Sequence, residues 1–210
     1  MMYFWHLLSM IGSLAVTGPI GAAIAIYLVA GKQWRLTFAW AMLFGIGMAL
    51  VVITKMMFMG WGLGVESVEF AGFSGHAMRA AAVYPVAGYL VLRSSGPYAR
   101  YVGAAVGVIL AVLISISRVP TLAHSVSEVV TGAILGLAVA GAFIYFASRE
   151  HRWALSRMLA VLCLPIVLVA PNVEPIPAED WITQVALKLS GRDHPYTREM
   201  WRHHDASAAP

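Results

Sequence analysis

The sequence predicts an all-α fold, a polytopic membrane helical bundle of about six transmembrane helices. Composition is the first reason, because 60% of the 210 residues are hydrophobic and only 11% are charged, whereas a soluble domain carries about 25% charged residues. The second reason is that apolar stretches of spanning length recur along the chain. The third is that Lys and Arg gather in alternate connections between these stretches.

Six stretches approach the roughly 20 mostly apolar residues that a spanning helix needs. They are residues 7–30, 36–54, 76–92, 98–117, 122–147 and 153–170. The third is interrupted by His76 and Arg79 in its first turn, and the sixth has an arginine one turn inside it, which must snorkel to the membrane surface. In the fifth, Gly132, Gly136 and Gly141 predict close packing between helices.

The basic residues predict the orientation of the bundle. Lys and Arg lie in or beside the connections that follow the first, third and fifth stretches, all on one side of the membrane. The positive-inside rule makes that side cytoplasmic. We therefore predict a multi-pass protein of the bacterial cytoplasmic (inner) membrane. Its opposite face, toward the periplasm or outside, receives the 55–76 connection, the 118–124 turn and the C-terminal tail.

Two units are expected along the chain. Residues 1–171 form the membrane-embedded bundle, and residues 172–210 form an extracytoplasmic tail. In this tail Trp181, Val185 and Leu189 recur at helical spacing, which predicts a short amphipathic helix on the outer surface.

A second group of polar residues converges on the outer ends of stretches two to five. Ionisable groups at membrane depth cost about 2.5–3.5 kcal/mol each and usually face a cavity or one another. Several of them at one level therefore predict a site. Its candidate members include Lys55, Ser74, His76, Arg79, Arg118, His124 and Glu128.

The fifth stretch carries the most informative spacing. Pro120 suits the first turn of a helix, so His124 and Glu128 are expected in regular helix, four residues apart and on one face. A carboxylate one turn from an imidazole orients the ring and raises its basicity, which suits a nucleophile or a base. Arg118 precedes this helix, and its fork of donors matches phosphate geometry.

The start of the third stretch adds complementary groups. Ser74 and Gly75 offer a hydroxyl and a backbone N–H at a helix start, and His76 offers a second imidazole. Lys55 completes a cationic cup at the end of the second stretch. This set suits phosphoryl transfer, in which one histidine attacks phosphorus and the other protonates the leaving group. We expect no cofactor and no metal, because the cations of the cup would repel a metal ion held by the histidines.

These residues resemble the signatures of the type 2 phosphatidic acid phosphatase (lipid phosphate phosphatase) superfamily. Residues 117–128 are similar to its third signature, S-R-x5-H-x3-D, and residues 73–76 to P-S-G-H, while Lys55 takes the place of the lysine that opens K-x6-R-P. The resemblance covers about residues 10–147. It implies an integral membrane phosphatase that acts on a lipid phosphate or diphosphate of the polyprenyl diphosphate, phosphatidylglycerophosphate, phosphatidate or lipid A type.

The resemblance also implies a role for each matching residue. His124 would be the nucleophile that forms a phosphohistidine, Glu128 its partner, and His76 the general acid. The phosphate would be held by Lys55, Ser74, Gly75 and Arg118. The implied partners are the lipid substrate and the bilayer, with no nucleic acid.

Three parts of the sequence depart from the signatures. Position 62 is glycine where the first signature has arginine, and Leu63 stands for its proline, so one phosphate ligand is missing unless Arg79 replaces it. Phe73 stands where proline is usual. Glu128 replaces an aspartate, whose side chain is one methylene shorter. These departures leave room for an altered substrate or weakened activity.

Two other functions remain open on the sequence alone. Residues 72–75 also resemble the G-x-S-G of rhomboid intramembrane proteases, in which Ser74 would be the nucleophile and His124 its base. That function leaves four residues without a role: Lys55, His76, Arg118 and Glu128. The other alternative is a degenerate family member that binds lipid headgroups without turnover, because of the missing arginine.

Overall fold

The computed structural model describes residues 2–121, 123–150 and 177–201, together with positions 159, 161 and 165. The main α-helices of this part of the chain are α1 Met2–Ile11, α2 Leu14–Ala30, α3 Trp34–Trp61, α4 Gly75–Val91, α5 Ala99–Ser117, α6 Val126–Arg149 and α7 Ala178–Ser190, and a 3₁₀ helix, Glu66–Val68, lies between α3 and α4. The described residues contain no β-strand, and the predicted all-α helical bundle is confirmed. The sixth predicted stretch, 153–170, lies outside the described residues apart from those three positions.

The other five predicted stretches coincide with α2 to α6, with differences at their ends. α1 begins before the first stretch and includes its residues 7–11, and a break at residues 12–13 separates α1 from α2. α3 runs beyond the predicted end until Gly62, which caps it in the left-handed conformation with φ 72°. Lys55 therefore lies within α3. α6 begins at Val126, later than predicted, because Ser125 caps its N-terminus.

α4 lies at the centre of the bundle. Fourteen of its 17 residues are buried, and α5 and α6 pack against it. A Cβ atom added at Gly136 would lie 2.2 Å from the carbonyl oxygen of Met78, and one at Gly132 would lie 2.6 Å from that of Ser74. The predicted glycine packing is confirmed at these two positions. At Gly141 no described atom lies within 4 Å of an added Cβ, so the packing there stays a prediction.

The outward surface of the bundle is apolar. Large hydrophobic side chains are exposed along α3, α5 and α6: Phe38, Met42, Ile46, Ile53, Val102, Val106, Ile109, Val130 and Ile134. An apolar surface of this extent is unfavourable in water and is solvated by lipid tails in a bilayer. Four helical segments of the described chain are long and apolar enough to cross a membrane: Phe4–Ala30, Trp34–Trp61, Ala99–Ser117 and Val126–Arg149.

The basic residues and the candidate site occupy opposite ends of the bundle. Arg35 and Arg149 line one hollow together, and Arg93 donates from Nη2 to the carbonyl oxygen of Glu150 at 2.9 Å. These arginines therefore share one end. The candidate residues lie at the other end, where α3 finishes and α4 and α6 begin.

Candidate active site

Two cavities lie where α3 finishes and α4 and α6 begin. The larger has a volume of about 220 Å³ and the smaller about 100 Å³. Both are lined by Lys55, His124 and Glu179. The candidate site thus draws on α3, on the connection before α6, on the start of α4 and on α7.

His124 and Glu128 form a hydrogen-bonded pair that lines the larger cavity. The distance from His124 Nδ1 to Glu128 Oε2 is 2.8 Å, and the two side chains are only 8% and 2% exposed. Glu128 Oε1 accepts a hydrogen bond from the backbone N–H of Ala71 at 2.9 Å. With the carboxylate at Nδ1, the pair leaves Nε2 as the ring nitrogen available to a substrate.

The local structure that holds this pair differs from the prediction. His124 does not lie in regular helix but in the connection that precedes α6. Ser125 caps α6 in a capping box: its side chain accepts from the N–H of Glu128, and the Glu128 side chain accepts from the N–H of Ser125. The glutamate is thereby turned back toward His124. Burial lowers the pKa of His124, and the hydrogen bond to Glu128 offsets part of this effect. The balance favours the neutral ring.

The start of α4 places its three candidate residues differently. Gly75 and the half-buried His76 line the smaller cavity with Lys55 and His124. Ser74 is wholly buried and lines neither cavity. Its hydroxyl caps α4 by accepting a hydrogen bond from the backbone N–H of Ala77 at 3.5 Å. Its predicted role in holding phosphate stays a prediction.

The two candidate arginines lie on the side of the site nearest α1 and α2. Arg79 lines the smaller cavity, and its Nε donates to Thr17 Oγ1 at 3.1 Å. Arg118 follows the end of α5, and its Nη1 donates to the hydroxyl of Ser9. The Arg118 Nε is buried and has no hydrogen-bond partner among the described residues. Burial lowers the pKa of Arg118, and attraction to Glu179 opposes this effect.

Lys55 is paired with a carboxylate from the tail. Its side chain is 12% exposed, and its Nζ contacts Glu179 Oε1 in the first turn of α7. Partial desolvation tends to raise the pKa of Glu179, whose side chain is still 61% exposed, but attraction to Lys55 and the hydrogen bond with it leave that pKa below its ordinary value. A carboxylate therefore occupies the cationic cup in which the sequence predicts phosphate.

A second tail residue, Arg198, reaches the same site. Its Nη2 donates to Glu128 Oε2 at 2.6 Å, and it lines the larger cavity. Sequence reasoning missed both Glu179 and Arg198, because each is far along the chain from the signatures and lies in no recognisable motif. The charged residues beside the predicted tail helix were the available signal.

The predicted tail helix is present as α7. It packs against α3 through Ala186, whose carbonyl oxygen would lie 3.3 Å from a Cβ atom added at Gly60. The apolar stripe Trp181, Val185 and Leu189 is exposed, so α7 meets α3 with its other face. This packing places the N-terminus of α7, with Glu179, over the cavities.

The chain resembles known proteins over most of its length. The PAP2 superfamily matches residues 64–152, a region that includes His76, Arg118, His124 and Glu128. Over 202 residues the chain is 32% identical to a Klebsiella pneumoniae protein described as an uncharacterized 22.5 kDa protein in the cps region, with 92% of this chain and 95% of that protein covered. No solved structure matches the chain.

Proposed function

This chain belongs to the PAP2 superfamily, a family of phosphatases, and on that basis we propose that it hydrolyses a lipid phosphate or diphosphate at a membrane surface. The observation that carries the proposal is the 2.8 Å contact between His124 Nδ1 and Glu128 Oε2, in a cavity that Lys55 also lines. A neutral imidazole beside a fixed cation suits attack on a phosphorus atom.

The proposed reaction proceeds in two displacements. Nε2 of neutral His124 attacks the phosphorus, a P–N bond forms, and the P–O bond to the lipid breaks. The negative charge of the bound phosphate favours protonation of His76, and the protonated ring donates to the leaving oxygen. Glu128 holds the Nδ1 proton and stabilises the positive charge that develops on the ring.

In the second displacement water releases the phosphate. His76, now neutral, accepts a proton from the water as its oxygen attacks phosphorus, and the P–N bond breaks to restore His124. Lys55 holds the phosphoryl oxygens through both steps. Arg118 lines neither cavity and supplies a further positive charge close to His124. The reaction needs no metal, since the fixed cations supply the charge that a metal would otherwise provide.

The substrate and the orientation follow from the surroundings of the site. The apolar outer faces of the helices bring the cavities to the level of lipid headgroups, so the phosphate of a membrane lipid can reach them from the bilayer. Because the basic end is cytoplasmic by the positive-inside rule, the site faces the periplasm or outside of a bacterial inner membrane. Lipid diphosphates and monophosphates turned over there are the candidate substrates.

The geometry does not favour the protease alternative. Ser74 is wholly buried and its hydroxyl caps α4, while the Nδ1 of His124 is bonded to Glu128. A serine nucleophile would need an exposed hydroxyl that bonds to its base. The headgroup-binding alternative uses the same phosphate contacts. It differs from a phosphatase only in that no phosphate is released from the bound lipid.

The test is phosphate release by the purified protein in EDTA. The panel contains a polyprenyl diphosphate, phosphatidylglycerophosphate, phosphatidate and lipid A. We expect release from at least one lipid, loss of release in His124→Ala, and wild-type release in His194→Ala, a matched change at an exposed histidine of the tail. Turnover that survives His124→Ala would eliminate this nucleophile. Labelling of Ser74 by a fluorophosphonate would favour a protease, and phosphate binding without turnover would favour a binder.

A further inference from the structure

The position of the missing first-signature arginine is filled by the tail. Gly62 has φ 72°, a left-handed conformation that disfavours residues with a Cβ atom. A Cβ atom added there would lie 2.9 Å from the Tyr196 ring. Arginine at position 62 would therefore strain the end of α3 and displace Tyr196.

Two aromatic side chains fix residues 196–201 of the tail against α3 and the 62–74 connection. The backbone N–H of Tyr196 donates to the carbonyl oxygen of Met59 at 2.8 Å, and the Tyr196 ring meets Phe58 edge to face with centroids 5.7 Å apart. Trp201 is buried against the same Phe58, at 4.9 Å. It also fills the space beside Gly64, where an added Cβ atom would lie 2.7 Å from the indole.

Arg198 lies between these two anchors and points into the larger cavity. Its Nη2 donates to Glu128, and it lines that cavity with Lys55 and His124. Its Nε is buried and has no hydrogen-bond partner in the described part of the chain. A buried, unpaired donor is costly unless a ligand accepts from it, and an arginine fork is suited to phosphate oxygens.

Arg79 is placed less well to replace the missing arginine. Its Nε is engaged by Thr17, and its Nη1 lies so close to Gly75 that a Cβ atom there would be 2.8 Å away. It lines the smaller cavity, whereas Arg198 shares the larger one with the His124–Glu128 pair.

We infer that Arg198 is a phosphate-binding residue of this site, delivered by the tail in place of the arginine that is absent at Gly62. This inference rests on the proposed function, since it assigns a ligand to the same cavity. Arg198 donates a hydrogen bond to a phosphate oxygen through its free Nε–H, while its Nη2 keeps Glu128 in position. The tail is then part of the site that recognises the substrate.

The experiment compares Arg198→Gln and Arg198→Lys with Arg192→Gln in the full chain. Arg192 is a matched control, because it lies in the same tail segment, is exposed and lines neither cavity. Two readouts are taken: KM and kcat on the best lipid of the panel, and the affinity for inorganic phosphate from the shift that it produces in the unfolding temperature.

For Arg198→Gln we expect KM and the phosphate Kd to rise about ten- to a hundredfold, the range for loss of a hydrogen bond to a charged group. Arg198→Lys retains part of the affinity because it keeps the charge without the fork, and it serves as the test if the glutamine variant does not fold. Arg192→Gln stays within about twofold of wild type. Wild-type KM and phosphate Kd in a folded Arg198→Gln protein would overturn the inference.

The two proposals fail in different ways. If the wild type turns over lipid and Arg198→Gln equals it, the inference on Arg198 falls and the proposed function stands. If the wild type releases no phosphate but binds it, and Arg198→Gln weakens that binding, the proposed hydrolysis falls and the Arg198 site stands. A wild type that neither hydrolyses nor binds phosphate overturns both.

Discussion

The carboxylate of Glu179 occupies the position where a phosphate is expected to bind, so its removal tests the site directly. The perturbation is Glu179→Gln, which keeps the size of the side chain and removes its charge. In the free protein Glu179 neutralises Lys55, and a phosphate must compete with it for that ammonium group. The substitution is therefore expected to tighten phosphate binding.

The magnitude follows from the exposure of the pair. Lys55 is 12% exposed but Glu179 is 61% exposed, so solvent screens the attraction and the value for an exposed ion pair applies, at most about 1 kcal/mol. In Glu179→Gln the phosphate no longer has to break this ion pair. Its KM as substrate, and its inhibition constant as inorganic phosphate, should therefore fall by up to about fivefold. The effect should shrink at high salt, because added ions screen the charges that compete.

The assay is phosphate release at fixed detergent concentration, with inorganic phosphate as a competitive inhibitor. Asp180→Asn is the matched control. Asp180 is exposed in the same first turn of α7, and its substitution by asparagine removes the same charge. We expect it to leave both constants within about twofold of wild type. An unchanged or weaker affinity for phosphate in Glu179→Gln would refute the idea that this carboxylate competes for the phosphate position.

Two further predictions concern pH and packing. Burial lowers the pKa of His124, and the proposed nucleophile must be neutral. The fall of kcat/KM in acid should therefore be centred below pH about 6.5, the pKa of a free imidazole. A pH–rate profile in which this fall is centred above that value would contradict the assignment. Gly136→Ala should destabilise the protein by about 1–3 kcal/mol, because the added Cβ atom would lie 2.2 Å from the backbone oxygen of Met78. Gly141→Ala, where no described atom lies within 4 Å, should not lower the unfolding temperature, and equal losses in the two variants would contradict this packing.

The membrane bundle itself could be predicted from sequence. Whether lipid can solvate a segment depends on its composition and on the length of its apolar stretch, and both can be read from the sequence. The limits of these stretches therefore predicted the ends of α4 and α5 to within one residue of those observed. The caps were harder to predict. Ser125 and Glu128 close a capping box that moves the start of α6 beyond His124, and Pro120 alone indicated an earlier start.

The pairing of His124 with Glu128 was also available from the sequence. A separation of four residues brings the two side chains together in a helix, and here the capping box achieves the same contact from outside the helix. The convergence of Lys55, His76 and His124 on one cavity could be anticipated only in outline, from the ends of the predicted helices.

The sequence by itself determined that lipid surrounds the protein, where its helices lie and how the residues nearest His124 are spaced. What only the tertiary structure decided was the arrival of Glu179 and Arg198 at those residues. Both belong to the tail, and their positions depend on how α7 packs on α3 and on how Tyr196 and Trp201 fit beside two glycines of the 62–74 connection. Such contacts join segments far apart in the chain, and no local periodicity or motif records them, because they arise from the shape of surfaces that exist only after the helices have packed.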